Sequence, residues 1–345
     1  YNDTNLWNKM VYGDYVDEPG WETYTVCDGL PHRSVWAITE GGDGSMYFAT
    51  FWGVLKVSEN GKEILDDQNV LGNSYNWALY TDSQGRVWFP GTEGVVTVYD
   101  GTDYSYLFPN AVYEECIFED GSGNMWFGSW DYNGLAKYDG TNWTYYSTAD
   151  GLLSNRVVSI SQLSGGNLLV ATEGGVNEFD GTNWSEFAVN GNTGLYVPEI
   201  FSDSQGRTWF AGNNLYMYDG TNWTDFTTDN GIFGWSEDID EDIHGNIWFG
   251  SYGELAYYDG TNWFYMNGDD GLLGNVFALE ADQNGDIWLG LQNIGVQKIN
   301  FTSNSTGLVE NFDDLNFDGW EGGSSFTFDA SNGELMVDGS KSGWV

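Results

Sequence analysis

The chain has 345 residues, with 52 Asp and Glu against 10 Lys and Arg, for a formal net charge of −42. A surface of that sign repels phosphate, which excludes a nucleic-acid binder and excludes attachment to an anionic membrane through basic residues. Its 18 Trp, 22 Tyr and 20 Phe exclude an acidic disordered chain, and 48 Gly with 5 Pro indicate many tight turns. No apolar run is long enough for a transmembrane helix. The first residue is Tyr1 and no signal peptide is legible, so a mature or trimmed product is expected. Cys27 and Cys116 alone cannot make a disulfide framework.

Residues 1–20 are read as an N-terminal extension. Residues 21–26, Trp-Glu-Thr-Tyr-Thr-Val, precede Asp28-Gly29-Leu30, and this run matches Trp143–Thr148 followed by Asp150-Gly151-Leu152. Two phrases then alternate along the chain. Asp-x-x-Gly-x-φ-Trp, with φ apolar, occurs at Asp82–Trp88, Asp120–Trp126, Asp203–Trp209, Asp242–Trp248 and Asp282–Trp288. Degenerate copies lie at Gly41–Tyr47 and Leu163–Leu169. Asp-Gly-Thr-Asn-Trp occurs at Asp139, Asp180, Asp219 and Asp259, with a weaker copy at Asp100. Seven units at a spacing of roughly 40 residues match the period of propeller blades.

Each unit reads as four short strands, A to D. In the third unit, A is 116–119, B is 125–128, C is 134–138 and D is 143–147. Glycine supplies the positive φ of the hairpin turns, and the Asp side chains cap the turn backbone. The strand A column Ile38, Leu79, Ile117, Ile160, Ile200, Ile239 and Leu279 is expected to pack between blades, as are the repeated Trp residues. The seventh unit, from Phe277 to about Asn300, lacks a strand D. Residues 21–26 are expected to supply it and close the ring, leaving no open edge between first and last blades. The expected fold is therefore all-β, a seven-bladed propeller over 21–303. A linker and partial β-rich segment follows at 304–345.

The run Asp120 to Gly128, Gly134 to Gly140 and Gly151 to Val157 resembles the bacterial two-component-regulator propeller repeat. The resemblance covers roughly residues 21–300. It implies a seven-bladed propeller of the kind that senses ligands outside the cytoplasm, in sensor ectodomains or secreted and surface proteins. The tail from Leu308 through Gly319-Trp320 weakly resembles the opening of a carbohydrate-binding jelly-roll module.

Candidate ligand residues are those that depart from the repeat. At the start of strand A stand Arg33, Tyr75, Tyr113, Arg156, Tyr196, Trp235 and Asn275, with Trp36, Trp77 and Glu115 just inside. The B–C loops add Phe51, Trp52, Trp130, Asp131, Tyr132 and Tyr252. D–A and B–C loops share one face of a propeller, and exposed aromatics there suit stacking on sugar rings. Arg33 and Arg156 could orient a carboxylate. Glu199, Asp238, Asp240 and Glu280 intrude on strand A, near the axis, where Ca²⁺ would offset their repulsion; a solvated channel wall is the simpler alternative. Asp314, Asn316 and Asp318 match the first half of an EF-hand loop, but Ser325 stands where the bidentate Glu belongs. His244 falls in an A–B turn on the opposite face. Cys27 is read into an outer strand and Cys116 into an inner strand of another blade, so no bridge is expected. No nucleophile, His pair or carboxylate spacing marks a catalytic centre.

The sequence thus favours a non-enzymatic binding or adhesion module of a secreted or surface-exposed bacterial multidomain protein. Its partner would be a glycan or extracellular polymer, with Ca²⁺ as an optional cofactor and no direct membrane insertion. A carbohydrate lyase or hydrolase and a structural subunit are the alternatives.

Overall fold

The computed structural model describes residues 21–66, 71, 77–91, 94–109, 114–129, 133–227, 236–300, 326–329 and 334–337. It divides into two compact units, Tyr1–Ile299 and Asn300–Val345. In the second, the described strands Phe326–Asp329 and Glu334–Val337 pair antiparallel. The EF-hand-like residues Asp314, Asn316 and Asp318 lie outside the described residues, as does most of the expected jelly-roll opening.

The first unit contains seven four-stranded antiparallel sheets among its described residues. Six follow chain order from A to D. In the seventh, the order runs from Val276–Ala281 through Ile287–Leu291 and Gly295–Ile299 to the N-terminal strand Trp21–Tyr24. Trp21 sits opposite Ile299 and Tyr24 opposite Val296, so the two ends of the ring are hydrogen-bonded as expected. The expected strand was two residues too long. Thr25 accepts from the Cys27 amide and begins a 3-10 turn, Val26–Asp28, ended by Gly29 in the left-handed region. Cys27 is therefore exposed in a turn rather than placed in a strand, and Cys116 is in strand A of blade 3 (Glu114–Glu119).

The repeated turn phrase has one physical basis. In blade 5, Asp203 Oδ1 accepts from the backbone N–H groups of Gln205 and Arg207, while Oδ2 accepts from Trp209 Nε1 at 2.8 Å. The same carboxylate-to-indole bond forms from Trp88 to Asp82, Trp126 to Asp120, Trp248 to Asp242 and Trp288 to Asp282, at 2.7 to 2.9 Å. One side chain thereby closes the A–B turn and satisfies the polar atom of a fully buried Trp. Blades 1 and 4 lack both partners together. Blade 1 instead buries Tyr47 beside Lys56, which bonds Asp43 at 3.0 Å. The second phrase works similarly: Asp139 Oδ1 accepts from the amides of Thr141 and Asn142, and these donors hold its pKa below the usual carboxylate range.

Seven hydrophobic cores sit between adjacent blades, and each takes one member of the strand A aliphatic column. Ile200, for example, packs between Leu169 and Val176 of blade 4 and Phe210 of its own blade. The expected packing role of that column and of the strand B tryptophans holds. Glycine in strand B is required where the next blade enters: a Cβ at Gly250 would lie 2.6 Å from Val276 Cγ1.

Replacing Asp203 with Ala would leave the buried Trp209 N–H and two turn amides without an acceptor. It should cost roughly 2–4 kcal/mol of stability in urea unfolding. Trp209→Phe on that background should cost less than on wild type, because the donor is already orphaned. Additive losses would show that the bond is not the basis of the repeat.

Candidate functional site

Strand A is an edge strand of every blade, because the sheets run A-B-C-D from inside to outside. Its free edge faces the axis, and edge N–H groups must find acceptors. The acids that intrude on strand A meet that need. Asp238 Oδ2 accepts from Leu279 N at 2.8 Å and Asp240 Oδ2 from Ala281 N at 2.7 Å, both in the next blade. Glu280 Oε1 accepts from Glu40 N at 2.9 Å, again across a blade boundary. Between blades 4 and 5 the acceptor is the Ser159 hydroxyl, bonded to Ile200 N, and Glu199 Oε1 accepts from that hydroxyl. These carboxylates bracket neighbouring blades. Among the described residues, no three carboxylate, thiol or imidazole groups gather closely enough to hold a metal ion.

A cavity of about 910 Å³ occupies the axis. Its wall contains Glu199, Asp238, Asp240 and Glu280, which lie deep in the channel and keep part of their surface open to it. Burial pushes the carboxyls of Asp238 and Asp240 up to about 7. Amide donors oppose this in both, and for Asp238 the charge of Asp240 adds to the rise. Burial likewise raises Glu199 and Glu280 well above the ordinary value, with Asp238 and Asp240 respectively as the next cause.

The mouth is built by a β-bulge. Strand A shifts register by one residue between Val35 and Ala37, and again at the matching step of blades 3, 4, 6 and 7. A bulge re-aims the side chain at the extra residue. In blades 1, 4, 6 and 7 the residues at this step are Trp36, Val158, Glu237 and Phe277, and all four line the cavity. Trp77 and Pro198 hold the same place in blades 2 and 5 and line it too.

Three of these positions, Trp36, Trp77 and Phe277, carry an aromatic arc. Trp36 lies 5.0 Å from Trp77 and 5.1 Å from Phe277, centroid to centroid, and Phe51 closes edge-on against both Trp36 and Trp77. His32 extends the arc to Phe51 and Trp52, and Tyr252 continues it from Phe277. Trp52 is 63% exposed and Tyr252 53%. Tyr252 is hydrogen-bonded to Glu237, which pushes its hydroxyl up to about 12.

Of the residues expected from sequence, Trp36, Trp77, Tyr196 and Tyr252 do line the cavity, as do the four acids. Trp52 is at the rim of the arc. Arg33 is exposed and Arg156 pairs with Glu173 at 3.4 Å; neither lines the cavity. Tyr75, Tyr113, Trp130, Tyr132 and Trp235 lie outside the described residues. Phe277, Glu237, Pro198 and Gln292 line the cavity without having been singled out.

The raised carboxyls give a signed pH dependence. Between about pH 4 and about pH 7 the folded chain keeps protons that the unfolded chain has released, so their contribution to stability falls as pH rises through that window. Each such group contributes a slope of at most about 1.4 kcal/mol per pH unit. Asp240→Asn should flatten the pH dependence of urea unfolding across this range relative to wild type. Parallel curves would mean that Asp240 titrates as an ordinary carboxylate.

The family model described as "Two component regulator propeller" matches residues 106–131. A search of curated proteins finds no match. Among solved structures, the chain resembles the extracellular domain of BT3049 from B. thetaiotaomicron, described as a hybrid two component system. The identity is 21% and the TM-score 0.72, covering 81% of this chain and 41% of that one. It also resembles virginiamycin B lyase from Staphylococcus aureus, with 14% identity, TM-score 0.63, and coverage of 81% and 98%. PorZ, a surface component of the type-IX secretion system of Porphyromonas gingivalis, is similar at 12% identity, TM-score 0.58, and coverage of 80% and 37%. The chain spans about two fifths of the length of the sensor domains it matches. The chain is a seven-bladed propeller among its described residues, and its stretch 106–131 is similar to the two component regulator propeller repeat.

Proposed function

We propose that this propeller is a non-enzymatic sensing or binding module of an extracellular bacterial multidomain protein, and that its ligand is a glycan held at the channel mouth. The observation that carries the reading is the aromatic arc of Trp52, His32, Phe51, Trp36, Trp77, Phe277 and Tyr252 beside a cavity of about 910 Å³. Sugar rings present flat apolar faces that stack on such side chains, and Gln292 at the mouth and the carboxylates below offer acceptors to hydroxyls. An extracellular location fits the sensor domains that the fold resembles. Other domains of the same longer protein are the expected partners, by analogy with those relatives.

The resemblance to lyases, together with carboxyls of raised pKa in the cavity, keeps a carbohydrate-cleaving enzyme as a second reading. It differs in requiring turnover.

A glycan array read with and without calcium tests the first reading. Wild type should bind at least one glycan class, and Trp52→Ala with Trp77→Ala should weaken that binding by about tenfold or more while the fold is kept. Binding unchanged by both substitutions would move the ligand off the arc. Products accumulating from the bound glycan, and lost in Glu199→Gln, would establish the enzyme instead.

A further inference from the structure

The described lining of the cavity has a single sign of charge. Glu199, Glu237, Asp238, Asp240 and Glu280 line it, and among the described residues no Lys, Arg or His does. The deep acids are spread over three consecutive blades, and Glu237 stands at the mouth beside Tyr252. The bonds to backbone amides leave acceptor capacity unused: Glu280 Oε1 meets the Glu40 amide, and its second oxygen has no partner among the described residues. Above the acids, the Trp36 indole packs tilted against Trp77 on one side and Phe277 on the other, at about 5 Å between centroids, and all three line the cavity. Electron-rich aromatic faces at the mouth and carboxylates below suit the same class of guest, a positively charged organic group.

We propose that the ligand of this cavity carries an organic ammonium group, which lies against the aromatic side chains lining the mouth and points toward the carboxylates. The inference rests on the placement of the binding site at the channel mouth and narrows the glycan reading to sugars with a free amine. A neutral or anionic guest leaves the acids uncompensated. A cation favours their ionised form against the burial, and the lesser mutual repulsion, that raise their pKa.

The test uses the whole chain and two matched pairs of probes at neutral pH, followed by calorimetry. The first pair is choline and its neutral isostere, in which carbon replaces the ammonium nitrogen. The second is an oligomer of glucosamine and the same oligomer fully N-acetylated. Choline and the free-amine oligomer should each bind about tenfold or more tighter than their partners, and that preference should shrink as salt is raised. Glu199→Gln with Glu237→Gln should reduce the preference by about tenfold. Gln keeps the oxygen that accepts from Ser159, so the bracket between blades 4 and 5 survives. Glu237→Gln alone, at the mouth, serves if the double variant does not fold.

Tighter binding of the N-acetylated oligomer would overturn the inference and leave the glycan reading standing. Choline binding without either oligomer would support the inference and remove the glycan reading. Equal affinity within both pairs, or no binding of any probe, would overturn the inference.

Discussion

The bond from a buried tryptophan N–H to an aspartate in the preceding turn is the interaction on which the ring depends. A large indole fills the space between blades, but its polar atom must be satisfied there. The aspartate does so while capping the two amides that shape the turn, so packing and turn geometry are fixed by one residue pair. This is why Asp and Trp persist together in five blades and vanish together in two. Where they vanish, Lys56 with Asp43 in blade 1 and Asn167 with Glu178 in blade 4 supply local polar pairings. The outer three strands can then hold each blade in place while the innermost strand varies.

That freedom is limited by a second constraint. Each inner strand presents an unpaired edge to the axis, and its amides need acceptors. The chain answers with side chains from the preceding blade: Ser159, Asp238 and Asp240 reach forward to the next inner strand, and Glu280 reaches across the closure to blade 1. A further set works near the A–B turns, where Glu119 and Glu241 accept from Ser83 and Ser204 in the preceding blade. Stability of the ring and charge in the channel therefore come from the same residues. The cavity is acidic because its wall is stapled by carboxylates, and whatever binds there meets that charge.

Much of the fold was legible because the repeat phrases record turn chemistry directly. Ring closure was legible too, since Trp21–Tyr24 matches an outer strand that blade 7 lacks. The site was legible only in part. Trp36, Trp77, Tyr196 and Tyr252 drew attention as aromatics that break the repeat. Phe277 and Glu237 did not, because strict alternation assigns them to the same face as the core residues Leu279 and Ile239. A one-residue bulge breaks that alternation and turns them to the axis. A signal existed: the column Trp36, Trp77, Glu115, Val158, Pro198, Glu237 and Phe277 shows no preferred residue, unlike its neighbours. The bracketing role of the acids left no trace in sequence, since their partners are backbone amides about 40 residues away, brought close only by the ring.

Function in this molecule resides where the repeat is broken, at the bulged residues and the loops that flank them. The most direct measurement is a crystal structure of the chain with the tightest-binding probe. The account predicts density for the probe within the arc of Trp36, Trp77 and Phe277, with its positive end toward Glu199, Asp238 or Glu280. Density on the A–B turn face or along the outer strands, with the cavity holding water alone, would contradict it.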